Sequence, residues 1–372
     1  MEVNMHYTNF KNKKLSTLGM GAMRLPQIGE GWGKPVDYDK AVEIIDYLIE
    51  NGVNYFDTAY VYHGGDSEKF LGKAVSQRYP RDSFFLADKY NLLAQPDYRI
   101  QFPEQLERLQ TDYIDFYMCH GISDNHIKGY LGNGGVEYFI EEKERGRIKN
   151  LGFSFHGKPA VLREALKYTD WDFVMIQLNY YDWFHGPARE QYEILKENNI
   201  PVMAMEPVHG GLLANLNDFG RELLKNAEPD RSLASWAFRF LMDLPELAVT
   251  LSGMSNMEQA RDNIATFNER KPLTSAEKEL VHQASSDFFK NIGATCTFCR
   301  YCDGCPLQLD IPEFLRIYND YRVGGDWRLK RLDPVPVEKR PGACKKCGVC
   351  VKQCPQNLDI PKFMEEMAGK GY

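Results

Sequence analysis

The sequence predicts an α/β protein: a (β/α)8 barrel, or TIM barrel, followed by a small α-helical domain rich in cysteine. Three observations carry this. Short β-rich runs alternate with helix-like segments eight times over about 270 residues, a length that suits such a barrel. Composition then shifts once, near residue 293. Beyond that point lie eight of the nine cysteines, in two runs that repeat each other 49 residues apart. The expected division is 1–293 for the barrel and 294–372 for the tail.

The strand candidates, in order, are 18–20, 53–57, 84–87, 114–118, 148–153, 173–177, 202–205 and 247–251. Their β-branched and aromatic residues suit a buried parallel sheet. Helix-like stretches separate them, among them 38–50, 68–76, 104–110, 137–145 and 258–267. A doubly wound sheet is the alternative. Against it, Gly19-Met-Gly21 leads into Met23-Arg-Leu-Pro26 and a Gly-rich loop, not into a G-x-G-x-x-G turn that opens a helix. The stretch 121–135 contains His126 and several glycines, and its length suggests an active-site loop. A helix-like stretch opening at Ser275-Ala-Glu277 is assigned to the joint between the domains.

Apolar residues make up 43% of the chain, with no uninterrupted run of about 18 that would span a membrane. A formal charge of −7 and the lack of a long basic stretch give no reason to expect nucleic acid. The opening Met-Glu-Val-Asn-Met-His-Tyr has no apolar core of an export signal, so a cytoplasmic protein is expected.

The first cysteine run is Cys296-Thr-Phe-Cys299-Arg-Tyr-Cys302-Asp-Gly-Cys305-Pro306, and the second Cys344-Lys-Lys-Cys347-Gly-Val-Cys350-Val-Lys-Gln-Cys354-Pro355. The second has the C-x2-C-x2-C-x3-C-P form of two-cluster ferredoxins, in which the fourth Cys of each run serves the other 4Fe–4S cluster. On that pattern Cys296, Cys299, Cys302 and Cys354 surround one cluster, and Cys344, Cys347, Cys350 and Cys305 the other. The first run departs by one residue before its last Cys. Paired CxxC units also build zinc sites, and an even cysteine count also suits disulfides. Zinc gives no reason for the third Cys step or the Cys-Pro endings, and disulfides need an oxidising compartment.

Polar residues stand at strand ends, where a barrel of this kind carries its chemistry. Strand two ends in Asp57-Thr-Ala with Tyr62 close behind, strand three in Asp88-Lys89, and strand four in Cys119-His120. A Tyr phenol titrates near 10, and a nearby Lys ammonium favours its phenolate and brings that value towards neutral. Such a Tyr, beside a His, can donate a proton to a carbonyl. Cys119 is read as core filler.

The stretch Asn54-Tyr-Phe-Asp57-Thr-Ala-Tyr-Val-Tyr62-His-Gly-Gly-Asp-Ser67-Glu68, then Lys89, then Ile114-Asp-Phe-Tyr-Met-Cys-His120, resembles the aldo-keto reductases over roughly residues 8–270. With its tail, the chain looks like the branch of that family with a C-terminal ferredoxin-like domain. The resemblance implies Tyr62 as general acid, Asp57 and Lys89 tuning it, and His120 orienting the substrate. It also implies an extended nicotinamide dinucleotide, NADP or NAD, over the barrel mouth. Gln177 and Ser154 match the family's carboxamide-binding residues, although its Asn position is Phe155 here and Met205 stands where many relatives place a stacking Tyr. Gly210, Gly211 and Leu212 are expected at the pyrophosphate, because Gly permits close approach. Gly253, Ser255, Gln259 and Asn263 match the adenosine-phosphate segment, with Arg261 as the one nearby cation. Mouth aromatics Trp32, Tyr60, Tyr90, Tyr180, Tyr181 and Trp183 are candidates for an apolar pocket.

Three functions follow. The first is an NAD(P)H-dependent enzyme interconverting a small-molecule carbonyl and alcohol, with structural or docking clusters. The second is a redox chain exchanging electrons with a ferredoxin or flavin partner, since hydride carries two electrons and a cubane passes one. The third is a nicotinamide-sensing module without turnover.

Overall fold

The computed structural model describes residues 5–29 and 34–372. Trp32, one of the expected pocket aromatics, lies outside the described residues. Two strands, β1 (Tyr7–Phe10) and β2 (Lys13–Ser16), form an antiparallel hairpin. Eight more follow: β3 (Leu18–Gly21), β4 (Tyr55–Asp57), β5 (Phe85–Tyr90), β6 (Ile114–Ile122), β7 (Ile148–Phe155), β8 (Phe173–Gln177), β9 (Val202–Met205) and β10 (Leu247–Ser252). They close into a barrel in which each strand pairs in parallel with the next and β10 returns to β3. The expected (β/α)8 barrel is borne out, and closure excludes the doubly wound alternative.

Phe10 and Leu15 of the hairpin share an apolar core with Tyr55, Phe116, Phe173, Met203 and Val249 from the barrel strands. Phe10 meets Phe116 edge-on at 5.1 Å, and the Thr8 hydroxyl donates to the Ala248 carbonyl at 2.6 Å. Both barrel partners lie early in their strands. The hairpin therefore covers the N-terminal end of the barrel, leaving the C-terminal strand ends for chemistry.

The chain forms two compact units. One comprises Met1–Pro207 with Ala234–Lys278, the other Val208–Leu233 with Glu279–Tyr372. The second has its own core, with Phe314, Leu315, Ile317 and Tyr318 from the helix Ile311–Gly324 and Ile360, Met364 and Met367 from the helix Ile360–Ala368. The duplication is visible in the backbone. Each helix follows an Asp, Asp310 or Asp359, with nearly identical dihedrals, and carries Pro in its first turn. Left-handed residues flank the second Cys of each run: Phe298 (φ 57°) and Arg300 (φ 62°) around Cys299, Lys346 (φ 52°) and Gly348 (φ 77°) around Cys347. No described helix is long and apolar enough to cross a membrane.

Candidate active site

Asp57 closes β4, and Lys89 stands one residue before the end of β5. The Lys89 Nζ donates to Asp57 Oδ1 at 2.6 Å and to the Thr58 carbonyl at 2.6 Å, with both side chains buried. The same Nζ lies 4.9 Å from the centre of the Tyr62 ring. Tyr62 is returned to the strand end by a turn in which its N–H donates to the Ala59 carbonyl, and His63, Gly64 and Gly65 all take positive φ. The Tyr62 ring meets the His120 ring edge-on, 5.9 Å between centres at 82°. The four expected residues thus stand together.

The surroundings set their charge. Burial pushes the Asp57 carboxyl up from its ordinary range, and the Lys89 ammonium works against that. Burial drives His120 far below the usual imidazole value, helped by Lys89 and by His156, so it is neutral at pH 7. His156 is itself lowered to about 4 by burial, opposed by Asp182. Lys89 is braced from behind by buried Gln105 and Glu68 and by half-buried Arg108. Gln105 Nε2 donates to the Lys89 carbonyl at 3.1 Å and to Glu68 Oε1 at 3.0 Å, while Arg108 donates to Glu68 Oε2 at 2.8 Å. Asp88 is pushed well up by burial and then by Glu68, which keeps this carboxyl pair from carrying two charges.

The strand β6 runs four residues beyond its expected end, so His120 lies within it, with a break in register near Cys119 and positive φ at Gly121. Ser154 Oγ accepts the Gly121 N–H at 2.8 Å, which ties Ser154 to the backbone carrying His120. Gln177 Nε2 donates to Asp182 Oδ2 at 2.8 Å, and Asn179 Nδ2 donates to the same oxygen at 2.6 Å. Asn179 also caps the helix Tyr180–His185, so it and Asp182 fix the orientation of Gln177. The only advance signal for them was proximity to Gln177. Phe155 and Cys119 are buried, whereas Met205 is partly exposed at the end of β9. Tyr90 and Tyr180 are fully buried packing residues, and the Tyr60 hydroxyl is bonded to Glu104 at 2.8 Å.

After β10, the Ser255 hydroxyl donates to the Arg24 carbonyl at 2.9 Å and its N–H to Gln259 Oε1 at 2.8 Å. Asn263 Nδ2 donates to Ser252 Oγ at 2.9 Å. A Cβ on Gly253 would stand 3.2–3.4 Å from the Arg24 stem. Arg24, just beyond β3, therefore joins this segment through its carbonyl and its aliphatic stem. In the other unit, Gly210 (φ 66°) and Gly211 (φ 99°) lie in the turn His209–Ala214, and the Gly211 N–H is committed to the Val208 carbonyl at 3.0 Å.

The cysteines of the tail sort into two neighbourhoods. The Cys302 thiol is pushed up by burial first and then by Cys299, Cys296, Asp303 and Cys354 nearby. Cys350 is raised to about 11 by burial and by neighbours Cys344, Cys305 and Cys347. Cys305, Cys344, Cys347 and Cys350 line a cavity of about 110 Å³ walled by Leu307, Leu309, Ile311, Ile360 and Met364. Among the described residues, no group of three or more His, Cys, Asp or Glu forms a site that could hold a metal ion.

A parallel barrel with Tyr, Lys, Asp and His converging at its strand ends defines a class, and the comparison agrees. Residues 17–285 match the aldo/keto reductase family, to which the chain belongs, and it is accordingly an NAD(P)-dependent oxidoreductase. An uncharacterized oxidoreductase, YqkF, of Bacillus subtilis is 29% identical across 74% of this chain and 95% of its own. An NADH-specific methylglyoxal reductase of Escherichia coli is 25% identical across 72% and 94%. The holo aldo-keto reductase AKR11C1 of Bacillus halodurans superposes with a TM-score of 0.62 at 29% identity, covering 75% of this chain and 96% of that one. The family match ends before the cysteine runs.

Proposed function

We propose that residues 1–293 reduce a small carbonyl compound with NADPH or NADH. The nicotinamide supplies hydride when bound. Tyr62 then donates its proton to the carbonyl oxygen, Lys89 held by Asp57 favours the phenolate left behind, and neutral His120 orients the oxygen. The observation that carries this is the Lys89 ammonium, 2.6 Å from Asp57 and 4.9 Å from the Tyr62 ring. Ser154 and Gln177 would hold the carboxamide, and Gly253, Ser255, Gln259 and Asn263 with Arg24 would hold the adenosine end. Arg24 suits a 2′-phosphate, while the E. coli relative is named for NADH. Oxidation of each dinucleotide with methylglyoxal and with aromatic aldehydes tests the reading; turnover with neither cofactor on any of them contradicts it.

We further propose that residues 294–372 hold two 4Fe–4S clusters, one on Cys296, Cys299, Cys302 and Cys354, the other on Cys344, Cys347, Cys350 and Cys305. The two thiol neighbourhoods support this, as do the paired left-handed residues around Cys299 and Cys347. Alternating backbone of that kind turns N–H groups inward on an anion, iron–sulfur sites included. Exposure of Cys347 between exposed Lys345, Lys346 and Lys352 favours the second reading, electron exchange with an acidic ferredoxin-type partner. Counting iron and sulfide in anaerobically purified protein tests the clusters, with about eight irons expected; zinc in their place contradicts them.

A further inference from the structure

We propose that Asn91 is the positioning residue that sets which nitrogen of His120 carries the proton. The proposal rests on the reading of His120 as the group that orients the carbonyl oxygen. Asn91 Oδ1 accepts two backbone N–H groups, from Leu93 at 3.1 Å and Ala94 at 2.9 Å. That fixes the amide orientation, so it is Nδ2 that faces His120 Nδ1, at 3.3 Å. An amide nitrogen only donates, so His120 Nδ1 must accept. In a neutral imidazole the proton then sits on Nε2, where it can be given as a hydrogen bond to substrate oxygen. Asn91 is itself held on both backbone groups by fully buried Gln101, whose Oε1 accepts its N–H at 2.6 Å and whose Nε2 donates to its carbonyl at 3.0 Å. Tyr130 adds a hydrogen bond to the His120 carbonyl at 2.5 Å, steadying the ring from its own backbone.

The test is Asn91→Asp, nearly isosteric but presenting an acceptor to Nδ1. It should move the proton to Nδ1 and lower kcat roughly 10²- to 10⁴-fold, the range for misplacing an acid–base or orienting group, with KM for the dinucleotide unchanged. Nitrogen-15 shifts of labelled His120 read the tautomer directly, and Asn91→Gln, which keeps the donor, should retain the wild-type tautomer. An Nδ1-protonated His120 in the wild type, or an unchanged tautomer in Asn91→Asp, overturns the proposal. If the wild type shows the Nε2–H tautomer but no carbonyl turnover, the functional reading fails and the positional claim on His120 stands.

Discussion

Tyr62 carries the chemistry proposed for this site, and its replacement separates catalysis from packing. Tyr62→Phe should lower carbonyl reduction by roughly 10²- to 10⁴-fold while leaving dinucleotide affinity intact. Lys89→Met leaves the Asp57 carboxylate buried without its ammonium, so a stability loss of about 3–5 kcal/mol is expected by denaturant titration, together with loss of activity. The histidines set the acid response. In the unfolded chain His156 binds a proton near 6.5, whereas in the fold it does so only at about 4. The unfolded state therefore holds more protons through that window, and stability falls as pH drops from about 6.5 towards 4. His156→Gln should flatten this decline, measured as the unfolding midpoint at pH 7 and pH 5. Asp57, Tyr62, Lys89 and His120 were legible because strand-end polar residues in family order are a local pattern. Asn91, Gln105 and Arg108 were not, since their role depends on partners brought close by folding.

Barrel strands were readable one by one, because short buried runs of β-branched and aromatic residues contrast with the polar helices between them. Their C-terminal ends were not, as Lys89 and His120 are polar yet continue β5 and β6. The helix Tyr98–Leu109 begins six residues before its expected start, and Pro103 is accommodated inside it. The hairpin was missed outright: two four-residue strands joined at Lys11, which takes φ 53°, offer no Asn-Gly or Asp-Gly signal. If Phe10 seals the N-terminal end, Phe10→Ala should cost about 3–5 kcal/mol in global stability, read by denaturant midpoint at constant m.

At the scale of the molecule, the duplicated cysteine runs were the most legible feature, because spacing encodes them directly. What spacing could not show is that Val208–Leu233 belongs compactly with the tail. If the tail holds the two proposed clusters, Cys302→Ala should drop iron from about eight to about four per chain, leaving the other quartet loaded. If Tyr62 passes the proton during NAD(P)H-driven carbonyl reduction, wild type and Tyr62→Phe must differ under identical loading. Single-turnover oxidation of bound NADPH by methylglyoxal should proceed in the wild type and slow at least a hundredfold in the variant, at equal NADPH affinity. Equal rates in the two proteins would contradict it.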